Sequence, residues 1–264
     1  MQRIIDIHTH VFPDPVAAAA IPVLEADGEG LHACYDGTVS GLVAAMDRTG
    51  VAVSVIQPVA TRADQVRSIN DWVASQASDR IVPFGAMHPQ FADPATEMAR
   101  MAALGLRGFK LHPEHQSFEP HDTALARIWE AAVEHDMIAF FHAGADVIHP
   151  GVRGTPESFA SLLDTWPDLT VVLAHLGGFR QWKGVAEVLA GRDVWLDTAY
   201  TLSHLPDDEF VALVRAHGTD RVLFGSDGPW TDCGIESAHL TSLGMTAEET
   251  EAILGGNAER LLGL

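Results

Sequence analysis

Short apolar runs rich in β-branched residues recur along the chain: RIIDIH (3–8), VAVSVIQ (51–57), IVPFGAM (81–87), LRGFKLH (106–112), MIAFFHA (137–143), LTVVLAH (169–175), DVWLDT (193–198) and RVLFGSD (221–227). Each is mostly apolar on both faces, as parallel strands covered on both sides must be. Between them lie amphipathic stretches such as DGTVSGLVAAMDRTG, HDTALARIWEAAVEHD and TPESFASLLDTWPD, several opening on Ser, Thr or Asp and closing on Gly or at a Pro. Eight strands alternating with eight helices predict an α/β fold of the (β/α)8 TIM-barrel type. Nothing resembles a linker or low-complexity segment, so residues 1–264 are expected to form one domain. The longest connection, residues 11–35, is expected to be a loop serving as a lid or substrate wall.

The polar residues that interrupt these runs fall at their C-terminal ends. His8 and His10 close the first strand, Lys110 and His112 the fourth, His142 the fifth, His175 the sixth and Asp227 the eighth. In a strand, Asp6, His8 and His10 share one face. Two imidazoles one pleat apart suit a shared cation, although two hydrogen-bonded polar residues at a strand end fit the same spacing. Scattered structural histidines have no reason to prefer strand ends, whereas barrel active sites sit there. Burying several imidazoles and a carboxylate together is costly without a compensating cation or hydrogen-bond network. Such donors suit Zn²⁺, with Mn²⁺ or Fe²⁺ as alternatives.

Composition narrows the partners. The 264 residues are 47% hydrophobic, enough for a large core, and 16 basic against 36 acidic residues give a net charge of −20. That charge opposes nucleic acid and anionic membranes. Cys34 and Cys233 are far apart with no CxxC pattern, which points to free thiols rather than a thiolate metal site. The N-terminal residues lack the pattern of a signal peptide, and no apolar run reaches membrane-spanning length. A cytoplasmic protein acting on a small molecule is the expectation.

The segments DIHTH, FKLHP, FFHAG, AHLGG, FGSDGPW and ILGGNAERLLGL, in this order over nearly the whole chain, resemble the amidohydrolase superfamily. The resemblance is to its amidohydrolase-2 branch of aminocarboxymuconate-semialdehyde decarboxylase-like metal-dependent hydrolases. It implies metal ligation by His8, His10, His142 and Asp227, with His175 as acid or base and Asp227 doubling as a proton shuttle. One Zn²⁺ is implied. A second ion would require a carbamoylated Lys110 as bridge; the alternative is a plain ammonium holding a substrate carboxylate. Lys110, His112, Arg180 and Trp230 are the candidate substrate contacts, and a homodimer is common in the branch. Two chemistries remain open. Hydrolysis of an amide, ester or lactone by a metal-bound hydroxide is the main expectation; non-oxidative decarboxylation of an aromatic or unsaturated carboxylate is the alternative. The compact chain, and a Gly where decarboxylases of the branch often carry an acidic residue after HLG, weigh towards hydrolysis. A nuclease of a sister branch is disfavoured by the missing fourth-strand Glu and by the charge.

Overall fold

A computed structural model describes residues 3–28 and 30–264. Its strands are β1 (Ile4–Thr9), β2 (Val51–Ile56), β3 (Ile81–Pro83), β4 (Gly85–Ala86), β5 (Gly108–Leu111), β6 (Ile138–Phe141), β7 (Val171–Leu173), β8 (Trp195–Asp197) and β9 (Val222–Leu223). All pair in parallel, in the orders β1-β2-β3 and β4 through β9. Only Phe84 separates β3 from β4, and its N–H still donates to Ile56 O at 3.1 Å, an ordinary ladder length. The two pieces are therefore one barrel strand with a local break. The last strand returns to the first through Ile7 N to Phe224 O (2.9 Å), Asp227 N to His8 O (2.9 Å) and His10 N to Gly228 O (2.6 Å). The sheet closes, giving the (β/α)8 barrel that the alternation predicted.

Strand alternation sorts the core into two layers. Ile138 and Phe140 of β6, Val172 of β7, and Val53 and Val55 of β2 pack with Phe84 inside the barrel. Ala139, Phe141, Val171 and Leu173 face the surrounding helices. The C-terminal helix Asn257–Leu262 contributes Ala258 and Leu262 to the inner cluster, closing the end opposite the strand termini. Asn257 Nδ2 donates to Thr219 O and Val222 O, both at 2.7 Å, so the terminal motif anchors this helix to β9. Gly255 is required there: a Cβ would lie 2.1 Å from Arg3 O.

Residues 11–35 differ from the expected loop. They hold a helix, Asp14–Asp27, with Ala17 and Ile21 buried towards the protein. Val16 and Leu24 of the same helix line a cavity, so apolar residues occupy two faces and no single stripe betrays the helix in sequence. The alternation of β1 also departs from expectation. Its register against β2 shifts between Asp6 and Thr9. Asp6 consequently accepts from Ser226 N (2.9 Å) and Ser226 Oγ (2.6 Å), whereas His8 meets Asp197 and Lys110. No helix among the described residues is long and apolar enough to cross a membrane.

Candidate metal centre and active-site cavity

The C-terminal ends of the strands enclose a cavity of about 610 Å³. Its floor carries His8, His10, Lys110, His142, His175 and Asp227. Three of these converge closely: His8 Nε2 lies 3.2 Å from His10 Nε2, and Asp227 Oδ1 lies 3.3 Å from the former and 3.1 Å from the latter. Both Asp227 (φ 70°) and His175 (φ 58°) sit in the left-handed region, which non-glycine residues rarely adopt and which marks strained functional positions.

The outer nitrogens of these rings fix their protonation. His8 Nδ1 donates to Asp197 Oδ2 at 2.7 Å, and His10 Nδ1 donates to Gln57 O at 2.8 Å. As neutral rings, both therefore turn unprotonated Nε2 atoms towards each other and towards a carboxylate oxygen. The same holds next door. His175 Nδ1 donates to Ala199 O (2.8 Å) and His142 Nε2 to Ala145 O (3.0 Å), so His175 Nε2 and His142 Nδ1 face each other as acceptors at 3.0 Å. A floor made of lone pairs and a carboxylate repels itself unless a cation or protons enter. Imidazole nitrogens with one carboxylate are the donors that Zn²⁺, Mn²⁺ and Fe²⁺ accept, so the residues present fit a divalent ion. The ammonium of Lys110 is the positive group that reaches this floor, donating to His8 Nε2 at 3.1 Å.

Burial shapes the charges. It drives His8 well below the ordinary histidine range, with Lys110 adding to the effect, and it drives His142 and His112 the same way. Lys110, fully buried above the Phe140 ring, is pushed down to about 8 by burial, against the attraction of Asp197 and Asp227. Burial also pushes the Asp227 carboxyl up, but His8 and His10 outweigh it and leave Asp227 below the usual carboxylate range.

The remaining sequence candidates separate. His142 stacks on His112 with ring centroids 4.1 Å apart, and its ligand atoms group with His112 and Asp146 rather than with His8, His10 and Asp227. Its contact with His8, His10 and Asp227 runs through His175, 3.0 Å from it. Trp230 lines the cavity, and its backbone N–H donates to the Asp227 backbone carbonyl at 2.9 Å. Arg180 is exposed, lies over the Phe179 ring and does not line the cavity. Lys110 is the only Lys or Arg among the described lining residues.

Sequence reasoning missed Asp197. Its carboxylate is fully buried and accepts from His8 Nδ1, His175 N (2.8 Å) and Ala199 N (3.0 Å), tying two floor histidines to one anchor. Orienting a ligand imidazole through its far nitrogen is a recurring device of metal sites. The signal was present, since DVWLDT ends its strand on a lone carboxylate. Gln57, whose carbonyl fixes His10, leaves no such signal because a backbone group does the work.

The family model for amidohydrolases, Amidohydro_2, matches residues 5–264. No curated protein matches the chain by sequence. Among solved structures, the chain is similar to 5-carboxyvanillate decarboxylase from Sphingomonas paucimobilis (TM-score 0.76, 18% identity, covering 100% of both chains). It is also similar to a TIM-barrel protein from Bordetella bronchiseptica (TM-score 0.80, 21% identity, covering 99% of this chain and 98% of that one). A third is a dihydroxybenzoic acid decarboxylase from Polaromonas with bound manganese and 2-nitroresorcinol (TM-score 0.73, 16% identity, covering 100% and 98%).

Proposed function

The chain belongs to the amidohydrolase family, and from that premise we propose that it is a metal-dependent, non-oxidative decarboxylase of aromatic carboxylates. The observation that carries this reading is the cavity's division of labour. Its floor is the lone-pair and carboxylate cluster with Lys110 beside it, and its walls are mostly apolar, with Phe12, Ile69, Trp72, Ile148, Phe179 and Trp230 among them beside the polar His115 and Asp146. A flat ring bearing one carboxylate fits both parts: the ring is covered by apolar and aromatic side chains, and its anion meets the single buried ammonium. An amide or ester would leave a polar leaving group against the same walls.

The structural neighbours that act on carboxyvanillate and dihydroxybenzoic acid support this choice over hydrolysis. The compact chain does not weigh against decarboxylation, because the carboxyvanillate enzyme is matched over 100% of its length. His8, His10 and Asp227 would hold the ion, with His142 or His175 completing the set, and manganese is a candidate beside zinc. When bound, the ion supplies a Lewis acid that anchors substrate oxygens.

The chain's own groups supply the rest. Lys110 binds the carboxylate, and the apolar walls exclude water from it, which favours its departure as neutral CO₂. As the bond between ring and carboxyl carbon breaks, the electron pair stays on the ring carbon and must receive a proton. Of His175 Nε2 and His142 Nδ1, 3.0 Å apart, the nitrogen that does not hold the ion carries the proton and keeps it where it can be delivered. The test is CO₂ release by the chain loaded with Mn²⁺ or Zn²⁺ from a panel of hydroxylated aromatic acids, beside matched esters and lactones. Turnover of the esters or lactones with no CO₂ from any acid would overturn the proposal.

A further inference from the structure

A second group of donors stands at the rim of the cavity. His115 belongs to the short helix Pro113–Gln116 that follows β5, and Asp146 and His149 belong to the loop after β6. One ligand atom of each lies within 4.8 Å of the other two. His115 and His149 are half-buried, the Asp146 side chain is 7% exposed, and His115 and Asp146 line the cavity. None of them has a part in the decarboxylation proposed above.

The two rings meet at right angles with centroids 4.4 Å apart, and His115 Nδ1 lies 2.9 Å from His149 Nε2. Asp146 Oδ1 accepts from Ile148 N (2.8 Å) and His149 N (2.6 Å), while its Oδ2 stands 3.6 Å from His112 Nε2, beyond hydrogen-bond length. The Asp146 carboxylate thus stands beside His112 and has an oxygen within 4.8 Å of a ring nitrogen of both His115 and His149. A hydrogen bond between the rings accounts for their contact but not for the carboxylate that converges on them. The supports are already joined: Glu114 Oε1 accepts from Arg153 N (2.6 Å) and Gly154 N (3.2 Å), which ties the helix after β5 to the segment after β6. The donors are held together before any ion arrives.

We propose that His115, Asp146 and His149 form a second divalent-metal site, separate from the floor centre. Two imidazoles and one carboxylate with open positions for water suit Zn²⁺ or a similar borderline ion. An ion held there adds a direct link across the rim between the loop after β6 and the helix after β5, beside the Glu114 tie.

The experiment uses the full chain stripped by a chelator and titrated with Zn²⁺ alone, with metal content read by elemental analysis and Co²⁺ substitution read by visible absorption. The expected result is two equivalents in two phases, the tighter held at the floor and the weaker at the rim. His149→Ala and His115→Gln each lose the weaker equivalent and keep the tighter one. His8→Ala loses the tighter equivalent and keeps the weaker. Uptake of a single equivalent by the unaltered chain overturns the proposal. So does a second equivalent that survives His149→Ala but disappears in His8→Ala, which places both ions on the floor. The His8→Ala arm reads the floor centre separately, so failure there leaves the rim result intact.

Discussion

Replacing Asp197 by Asn tests whether ring orientation controls the metal centre. The change is nearly isosteric, and the site offers three donors to the present carboxylate: His8 Nδ1 at 2.7 Å, His175 N at 2.8 Å and Ala199 N at 3.0 Å. An amide has one oxygen, which stays with the two backbone N–H groups, so its NH₂ turns to His8. The ring must then offer a lone pair at Nδ1 and carry its proton at Nε2. That proton points at His10 Nε2 and Asp227 Oδ1, 3.2 and 3.3 Å away, where an ion would bind. Restoring the ligating tautomer forfeits a hydrogen bond to a buried charged group, worth about 1.5–3 kcal/mol. At about 1.4 kcal/mol per tenfold, that is a loss of roughly 10–100-fold in metal affinity, the size found when partners of ligand histidines are removed. Competition against a chromogenic chelator measures the affinity, and thermal unfolding shows that the variant is folded. A folded Asp197→Asn chain that binds Zn²⁺ and Mn²⁺ as tightly as the unaltered one refutes the reasoning.

Glu236 is buried with Oε2 unpartnered, and burial, reinforced by Asp6 and Asp227, pushes it up to about 7 from 4.5. The folded chain then holds a proton that the unfolded chain releases, so this contribution is fully present below about pH 4.5 and is lost as pH rises through about 7. Glu236→Gln should gain up to about 3 kcal/mol relative to the unaltered chain between those limits; denaturant titrations at both pH values would show instead a constant difference if the argument fails. Gly144 has φ 87°, and a Cβ there would lie 2.1 Å from Phe179 N, across the bridge joining the segments after β6 and β7. Gly144→Ala should lower stability by about 2 kcal/mol or more, and an unchanged melting temperature would contradict the close approach. Lys110→Met should leave metal content intact while lowering kcat/KM for a carboxylate substrate about tenfold or more, the scale of a lost charged hydrogen bond; equal kcat/KM would remove Lys110 from carboxylate binding.

The barrel was legible because each strand is buried on two faces and announces itself as a bare apolar run, as MIAFFHA and LTVVLAH do. Strand ends were legible for the complementary reason that imidazoles and carboxylates have no place in such runs. What the pattern concealed were interactions that need the third dimension. The Asp14–Asp27 helix packs one face on the protein and another on the cavity, which erases the amphipathic stripe. The register shift in β1 sends Asp6 and His8 to different surroundings despite their equal parity. Asp197 and Gln57 act on histidines 189 and 47 residues away in sequence, a pairing that no local spacing reveals. The features on which the decarboxylation proposal rests lie in the cavity walls, assembled from residues far apart in sequence, such as Phe12, Trp72, Ile148 and Phe179.

The most direct measurement is solvent-deuterium incorporation during turnover of a ring-carboxylated hydroxybenzoate by the metal-loaded chain in D₂O, with released CO₂ quantified alongside. The account predicts one CO₂ per substrate consumed and one deuterium at the carbon that bore the carboxylate, with no requirement for O₂ or a nicotinamide. Consumption of substrate with the carboxyl carbon retained in the product would contradict it.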